Sequence, residues 1–79
     1  MTITRLTAEQ RQVLELLAGS PRGYTKGRLL ADGFTVDTLA DLVREGLATA
    51  QRETLRVGGR TIRVERYRIT DAGRRALEG

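Results

Sequence analysis

Apolar positions along this chain recur with two different periods. From Thr7 to Ala18, Val13, Leu14, Leu16, Leu17 and Ala18 fall three and four residues apart, while Glu9, Arg11, Gln12 and Glu15 fill the other side. That spacing predicts an amphipathic helix. Thr7 and Gln10 supply a T-x-x-Q capping box at its start, and Gly19-Ser20-Pro21-Arg22-Gly23 stops it. Tyr24 and Thr25 read as a very short strand. A second helix is predicted over Lys26 to Asp32, with Leu29, Leu30 and Ala31 as its apolar content. Gly33 then offers a left-handed turn position, and Phe34 packs across the corner. Thr35 is the N-cap of a third helix running to Glu45, whose expected buried stripe is Val36, Leu39, Ala40, Leu42 and Val43. Gly46 ends it as the first residue past the cap, with Leu47 as the hydrophobic follower of a Schellman-type turn.

Beyond Leu47 the period changes to two. Runs from Ala48 to Val57 and from Arg60 to Ile69 read as strands joined by Gly58-Gly59, a pair suited to a type I′ hairpin turn. This turn sets Val57 opposite Arg60, Leu55 opposite Ile62 and Arg52 opposite Glu65. Alternation puts Leu55, Val57, Ile62 and Val64 on one face and Thr54, Arg56 and Arg63 on the other. Nearer the base, Ala48, Ala50, Tyr67 and Ile69 have the opposite parity, which calls for a bulge, a strong twist or a different register. Thr70 caps a last short helix, "DAGRRALEG", with Ala72, Ala76 and Leu77 on its apolar side. There is no internal repeat, low-complexity tract or linker, so residues 1–79 are expected to form a single α+β domain.

Charge adds a feature that hydropathy does not show. Between Gln51 and Arg68 stand six arginines (Arg52, Arg56, Arg60, Arg63, Arg66 and Arg68) against Glu53 and Glu65. That surplus equals the chain's whole net charge of +4, since the remaining eight basic and eight acidic residues cancel. A cation-rich hairpin fits a polyanion: Arg56, Arg60 and Arg63 near the tip suit phosphates or a narrow minor groove. The plainer reading is edge-strand charge that keeps a ribbon from pairing with its neighbours. Arg52 and Glu65 read as a cross-strand ion pair. A second basic cluster, Arg22, Lys26 and Arg28, surrounds the start of the second helix, whereas Arg5, Arg11, Arg74 and Arg75 read as ordinary surface.

Composition removes whole classes of chemistry. With no cysteine and no histidine, the chain has no disulfide, no thiol or imidazole catalyst and none of the usual zinc ligands. No phosphate-binding loop or nucleophile elbow is present. Asp37 and Asp41 lie one helical turn apart without a third metal ligand, and read as solvated acids. A non-enzymatic protein without cofactor or metal is the expectation. Apolar runs far below ~20 residues and the absence of an apolar leader in "MTITRLTAEQ" add the expectation of a cytoplasmic protein without a membrane span.

Three segments carry a family resemblance that covers Leu6 to Leu77. "LLADGFTVDTLADLV" looks like a helix-turn-helix with Gly33 at its turn, and "LVREGLAT" like the exit of a recognition helix into a first wing strand. "YRITDAGRRAL" is similar to the Y-x-L-T-x-x-G-x-x-x-L that closes the wing of MarR-type and PadR-type bacterial regulators, matched by Tyr67, Ile69, Thr70, Gly73 and Leu77. The order of elements thus resembles a winged helix-turn-helix: a three-helix core, a two-stranded β-hairpin wing and a short C-terminal helix. The resemblance implies a small bacterial or phage transcriptional regulator of double-stranded DNA. Its third helix would enter the major groove, and its wing would reach phosphates or the minor groove.

Mapped onto this chain, the groove-facing positions are Thr35, Asp37, Thr38, Asp41, Arg44 and Glu45, three acids against one base. Carboxylates facing a duplex accept only from cytosine N4. The expected mode is therefore wing-led. Arg52, Arg56, Arg60, Arg63 and Arg66 hold phosphates, Thr35, Thr38 and Arg44 add contacts from the third helix, and Arg22, Lys26 and Arg28 contact the backbone. Two other readings stand beside it: a protein-interaction module using the acidic third helix, and RNA binding through the same arginines. The long terminal helices on which MarR-type dimers rely are missing, which leaves a monomer or a weak homodimer.

Overall fold

The computed structural model describes residues 5–78. The last residue of the expected fourth helix, Gly79, and the first four residues of the chain lie outside them. Four helices and a three-stranded antiparallel sheet make an α+β fold: α1 (Ala8–Ala18), β1 (Tyr24–Thr25), α2 (Lys26–Ala31), α3 (Val36–Arg44), β2 (Ala48–Val57), β3 (Arg60–Ile69) and α4 (Asp71–Glu78). The strand order is β1-β3-β2. The hairpin is thus not a separate two-stranded unit, because β1 adds Tyr24 opposite Tyr67 and Thr25 opposite Arg66 at its base. Among the described residues no helix is long and apolar enough to cross a membrane.

Local signals set the helix boundaries. Thr7 Oγ1 accepts from the Gln10 N–H while Gln10 Oε1 accepts from the Thr7 N–H, both at 3.0 Å, which completes the capping box. Gly19 caps α1 in a right-handed conformation, so that stop does not use glycine's freedom. After α2 and α3 that freedom is used: Gly33 and Gly46 have φ of 100° and 75°. The Phe34 N–H then reaches Leu29 C=O (3.1 Å) and the Leu47 N–H reaches Leu42 C=O (2.9 Å), the long bond of a Schellman turn in each case.

One core closes the body. Val13, Leu14 and Leu17 of α1, Leu29 of α2, and Leu39 and Leu42 of α3 are fully buried, joined by Leu47, Ala48 and Tyr67. The expected stripe of α3 is narrower than predicted. Leu39 and Leu42 are buried, but Val36, Ala40 and Val43 are exposed, Val36 by 49%. With α1 on one flank and β2 behind it, α3 has neighbours on only part of its circumference.

Residues 67–77 form the clasp between hairpin and body. Thr70 Oγ1 donates to Gly46 C=O (2.7 Å) and accepts from the Gly73 N–H (3.0 Å), which caps α4 as expected. The Thr70 N–H donates to Leu47 C=O (3.1 Å). Gly73 lets α4 lie directly on this strand entry: a Cβ there would stand 2.2 Å from Leu47 O.

The hairpin keeps its sequence-predicted register over its full length. Ala48 pairs with Ile69, Leu55 with Ile62 and Val57 with Arg60, with no bulge between them. Gly58 and Gly59 have φ of 57° and 80°, the sign a type I′ turn requires. Without a bulge the two apolar groups stay on opposite faces. Ala48, Ala50, Tyr67 and Ile69 face the body, whereas Leu55, Val57, Ile62 and Val64 share the outer face with Thr49, Gln51, Glu53, Arg66 and Arg68. Each ten-residue strand is about 33 Å long. The molecule measures 51 × 22 × 21 Å, with a radius of gyration of 13.2 Å against about 12 Å for a compact domain of this length. The hairpin accounts for that elongation.

Candidate nucleic-acid interface

Register decides which arginines share a surface. Arg56 lies opposite Thr61, Arg63 opposite Thr54 and Arg52 opposite Glu65. These three guanidinium groups therefore alternate between strands down the body-side face, spaced as diagonal neighbours. Arg60 stands beside the turn on the outer face. None of the four has an acidic partner within 4.0 Å among the described residues. Arg52, Arg56, Arg60 and Arg63 are exposed, so their charge is unspent and accessible.

Arg66 and Arg68 are in a different state. On the outer face both approach Glu53, Arg66 through Nε at 3.0 and 3.1 Å from the two carboxylate oxygens, and Arg68 at 4.0 Å. Arg68 Nε also donates to Arg22 C=O (3.3 Å). These two arginines fasten the hairpin base to itself and to the preceding loop. The predicted Arg52–Glu65 pair is absent, although the two residues are directly opposite. Glu65 lies 3.8 Å from Lys26 Nζ instead, because α2 packs against β3 and brings Lys26 to that face.

Where α2 meets the middle of the hairpin there is a cleft of about 540 Å³. Lys26, Arg52 and Arg63 line it together with Thr25, Leu30 and Glu65. This pocket links the helical basic cluster to the hairpin stripe through Lys26 alone. Arg28 instead folds back along its own helix, with Nε 3.3 Å from Asp32 Oδ2 and the guanidinium 5.5 Å from the centre of the Tyr24 ring. Arg22 is exposed in the loop before β1.

The third-helix candidates are not gathered with the arginines. The Thr35 N–H and Oγ1 donate to Glu9 Oε2 at 2.7 and 3.0 Å, and Thr35 Oγ1 also accepts from the Thr38 N–H and lies 3.0 Å from the Thr38 hydroxyl. Those hydrogen bonds to Thr35 and Thr38 hold the Glu9 carboxyl below its ordinary pKa of 4.5. Glu45 Oε2 accepts from Gln10 Nε2 (3.1 Å), and Arg44 pairs with Asp41 within its own helix. Thr35, Thr38 and Glu45 thus serve the α1–α3 junction. The outward surface of α3 is Asp37, Ala40 and Arg44, flanked by Val36 and Val43.

Sequence reasoning left out two carboxylates that shape the site. Glu53 is a diagonal neighbour of Arg66 in the predicted register, so the alternation rule alone could have paired them. Glu9 meets Thr35 across 26 residues of chain, and no local pattern marks that contact. No protein-family model, curated protein or solved structure matches this chain.

Proposed function

We propose that this chain is a winged-helix domain that binds double-stranded DNA, with the hairpin as its wing, and acts as a small transcriptional regulator. One observation carries the reading: Arg52, Arg56 and Arg63 stand unpaired on one face of a projecting hairpin, with Arg60 at its tip. Edge protection needs a few dispersed charges, not three aligned on one side. A guanidinium that has no carboxylate to release exchanges only water for a phosphate oxygen, and each neutralised phosphate liberates a counterion. Lys26, at the cleft beside Arg52 and Arg63, extends the same basic surface toward α2.

Contacts from α3 are minor in this mode. Its hydroxyls are committed to Glu9 and to capping, and the exposed Asp37 would repel a phosphate chain. Binding is thus dominated by charge and groove shape, with modest discrimination between sequences.

The test is a titration of the labelled protein with a duplex at low and moderate salt. Amide shifts should centre on residues 52–63. Affinity should fall with salt by about 0.9 log units per log unit for each neutralised phosphate. Replacing Arg52, Arg56 and Arg63 together by alanine should abolish binding with the fold unchanged. Absence of shifts at low salt would refute nucleic-acid binding. Equal affinity for an RNA duplex would reassign the ligand.

A further inference from the structure

Two apolar surfaces of this chain remain unexplained by the arginine stripe, and each has one unpaired charge beside it, of opposite sign. On α3, Val36, Ala40 and Val43 stand four and three residues apart along one exposed side, with Asp37 beside them. On the outer face of the hairpin tip, Leu55 and Ile62 stand opposite each other, Val57 stands opposite Arg60, and Val64, half-buried at the rim of the α2 cleft, follows Ile62 on the same face. Val36 is 49% exposed, Val57 58% and Ile62 42%, so neither surface covers the other within one chain. Asp37 and Arg60 both lack an ion-pair partner among the described residues.

The hairpin patch is unusual for its position. Further down the same face Thr49, Gln51, Glu53, Arg66 and Arg68 are all polar, the first two exposed and the other three half-buried in their own ion pairs, as suits the outer face of a one-layer sheet. At the tip this pattern reverses, although the body lies on the other side. Apolar side chains on a projecting ribbon, and valines on a helix flank free of neighbours, both mark contact surfaces. Nucleic acid does not suit the helix flank, because Asp37 would face the phosphates.

We infer that the chain forms a two-fold homodimer in which the outer hairpin face of each copy covers the exposed flank of α3 in the other. Leu55, Val57, Ile62 and Val64 pack on Val36, Ala40 and Val43, and Arg60 of one copy meets Asp37 of its partner. The two-fold axis makes the contact twice, so both apolar surfaces of both chains are closed at once. The patches are small, and the dimer is correspondingly weak. The dimer takes up Arg60 but leaves Arg52, Arg56 and Arg63 on the body-side face uncovered, so its failure would leave the DNA reading, which rests on those three, intact.

Sedimentation velocity over a range of concentrations tests the arrangement. The wild-type chain should pass from monomer to dimer as concentration rises. Two variants separate the surfaces: Val57→Lys with Ile62→Lys, and Val36→Lys with Val43→Lys. Each should stay monomeric alone, with the helix content and amide dispersion of the wild type. Mixed in equal amounts they should form a heterodimer, since one of the two contacts is then intact, at a Kd more than about tenfold above that of the wild type.

A wild-type chain that stays monomeric, growth beyond a dimer, or a mixture that does not associate would overturn the proposal. So would dimerisation of the α3 variant by itself, which would mean that hairpins pack on each other. Charge reversal checks the pairing without touching the apolar residues. Asp37→Arg and Arg60→Asp should each weaken the dimer, and the two together in one chain should restore it; no restoration would refute the contact.

Discussion

In the helical body, α1, α2 and α3 turn one apolar stripe inward and meet around Leu14, Leu29 and Leu42, all fully buried. In the outer half of the hairpin there is nothing to turn inward to: Leu55 and Ile62 face one way, Arg56 and Arg63 the other, and solvent reaches both sides. The same rules of alternation and periodicity shape both regions, yet only the body converts them into burial. Its stability comes from apolar area removed from water, whereas the hairpin rests on its ladder of backbone hydrogen bonds, its glycine turn and the Arg66–Glu53 pair. A region held in this way leaves its side chains available for other molecules.

Truncating matched side chains should expose that contrast most strongly. Leu42→Ala should cost about 2–5 kcal/mol in urea unfolding, since it empties a fully enclosed site. Ile62→Ala, measured at high dilution, should change stability by about 0.5 kcal/mol or less. Comparable losses at both positions would mean that the hairpin tip has a cover within its own chain. Next in size is the clasp between the regions. Gly73→Ala drives a methyl group into Leu47 C=O and should cost about 1–3 kcal/mol, read as a lowered thermal midpoint with a loosened α4.

Smaller effects belong to the α1–α3 junction. Thr35→Ala removes an N-cap and should cost about 1 kcal/mol in denaturant unfolding. Glu9 gives the same junction a pH dependence. Its carboxyl is held below 4.5 in the folded chain, so its contribution is fully present above that value and is lost as pH falls through the depressed folded pKa. Unfolding curves between about pH 6 and about pH 3 should show this loss in the wild type and a flatter profile in Glu9→Gln. The smallest stability change is expected for the joint replacement of Arg52, Arg56 and Arg63 by alanine. With no acid partner to lose, each position should shift stability by no more than about 0.5 kcal/mol, while the DNA binding proposed above should be lost. A large stability loss would show that the stripe is structural.

Much of the architecture is legible in local patterns because local physics governs it. Thr7 and Gln10, Gly46 and Leu47, and Gly58-Gly59 each specify backbone geometry within a few residues. The helix ends and the hairpin register follow from them. The "YRITDAGRRAL" segment is legible for the same reason, and its residues prove to be joints: Thr70 ties Gly46 to α4, and Gly73 makes room for Leu47. The candidate site was read less completely. Hydrophobic periodicity assigned Val36, Ala40 and Val43 to the core, but periodicity measures only amphipathicity and cannot count the neighbours available to cover a helix. Arg66 carried the same expectation as Arg63, yet one belongs to Glu53 and the other to solvent.

Alternation and charge count by themselves established the α+β order of elements, the strand register and the concentration of the whole net charge on one hairpin. Those properties depend on residues close in sequence, where bond geometry and turn chemistry leave few choices. Tertiary packing decided which charges are spent. Glu53 takes Arg66 and Arg68, Lys26 takes Glu65, Glu9 takes Thr35, and Arg52, Arg56, Arg60 and Arg63 are left over. Ion pairs and hydrogen bonds act over a few ångströms, so which groups meet is fixed only when distant segments have been brought together.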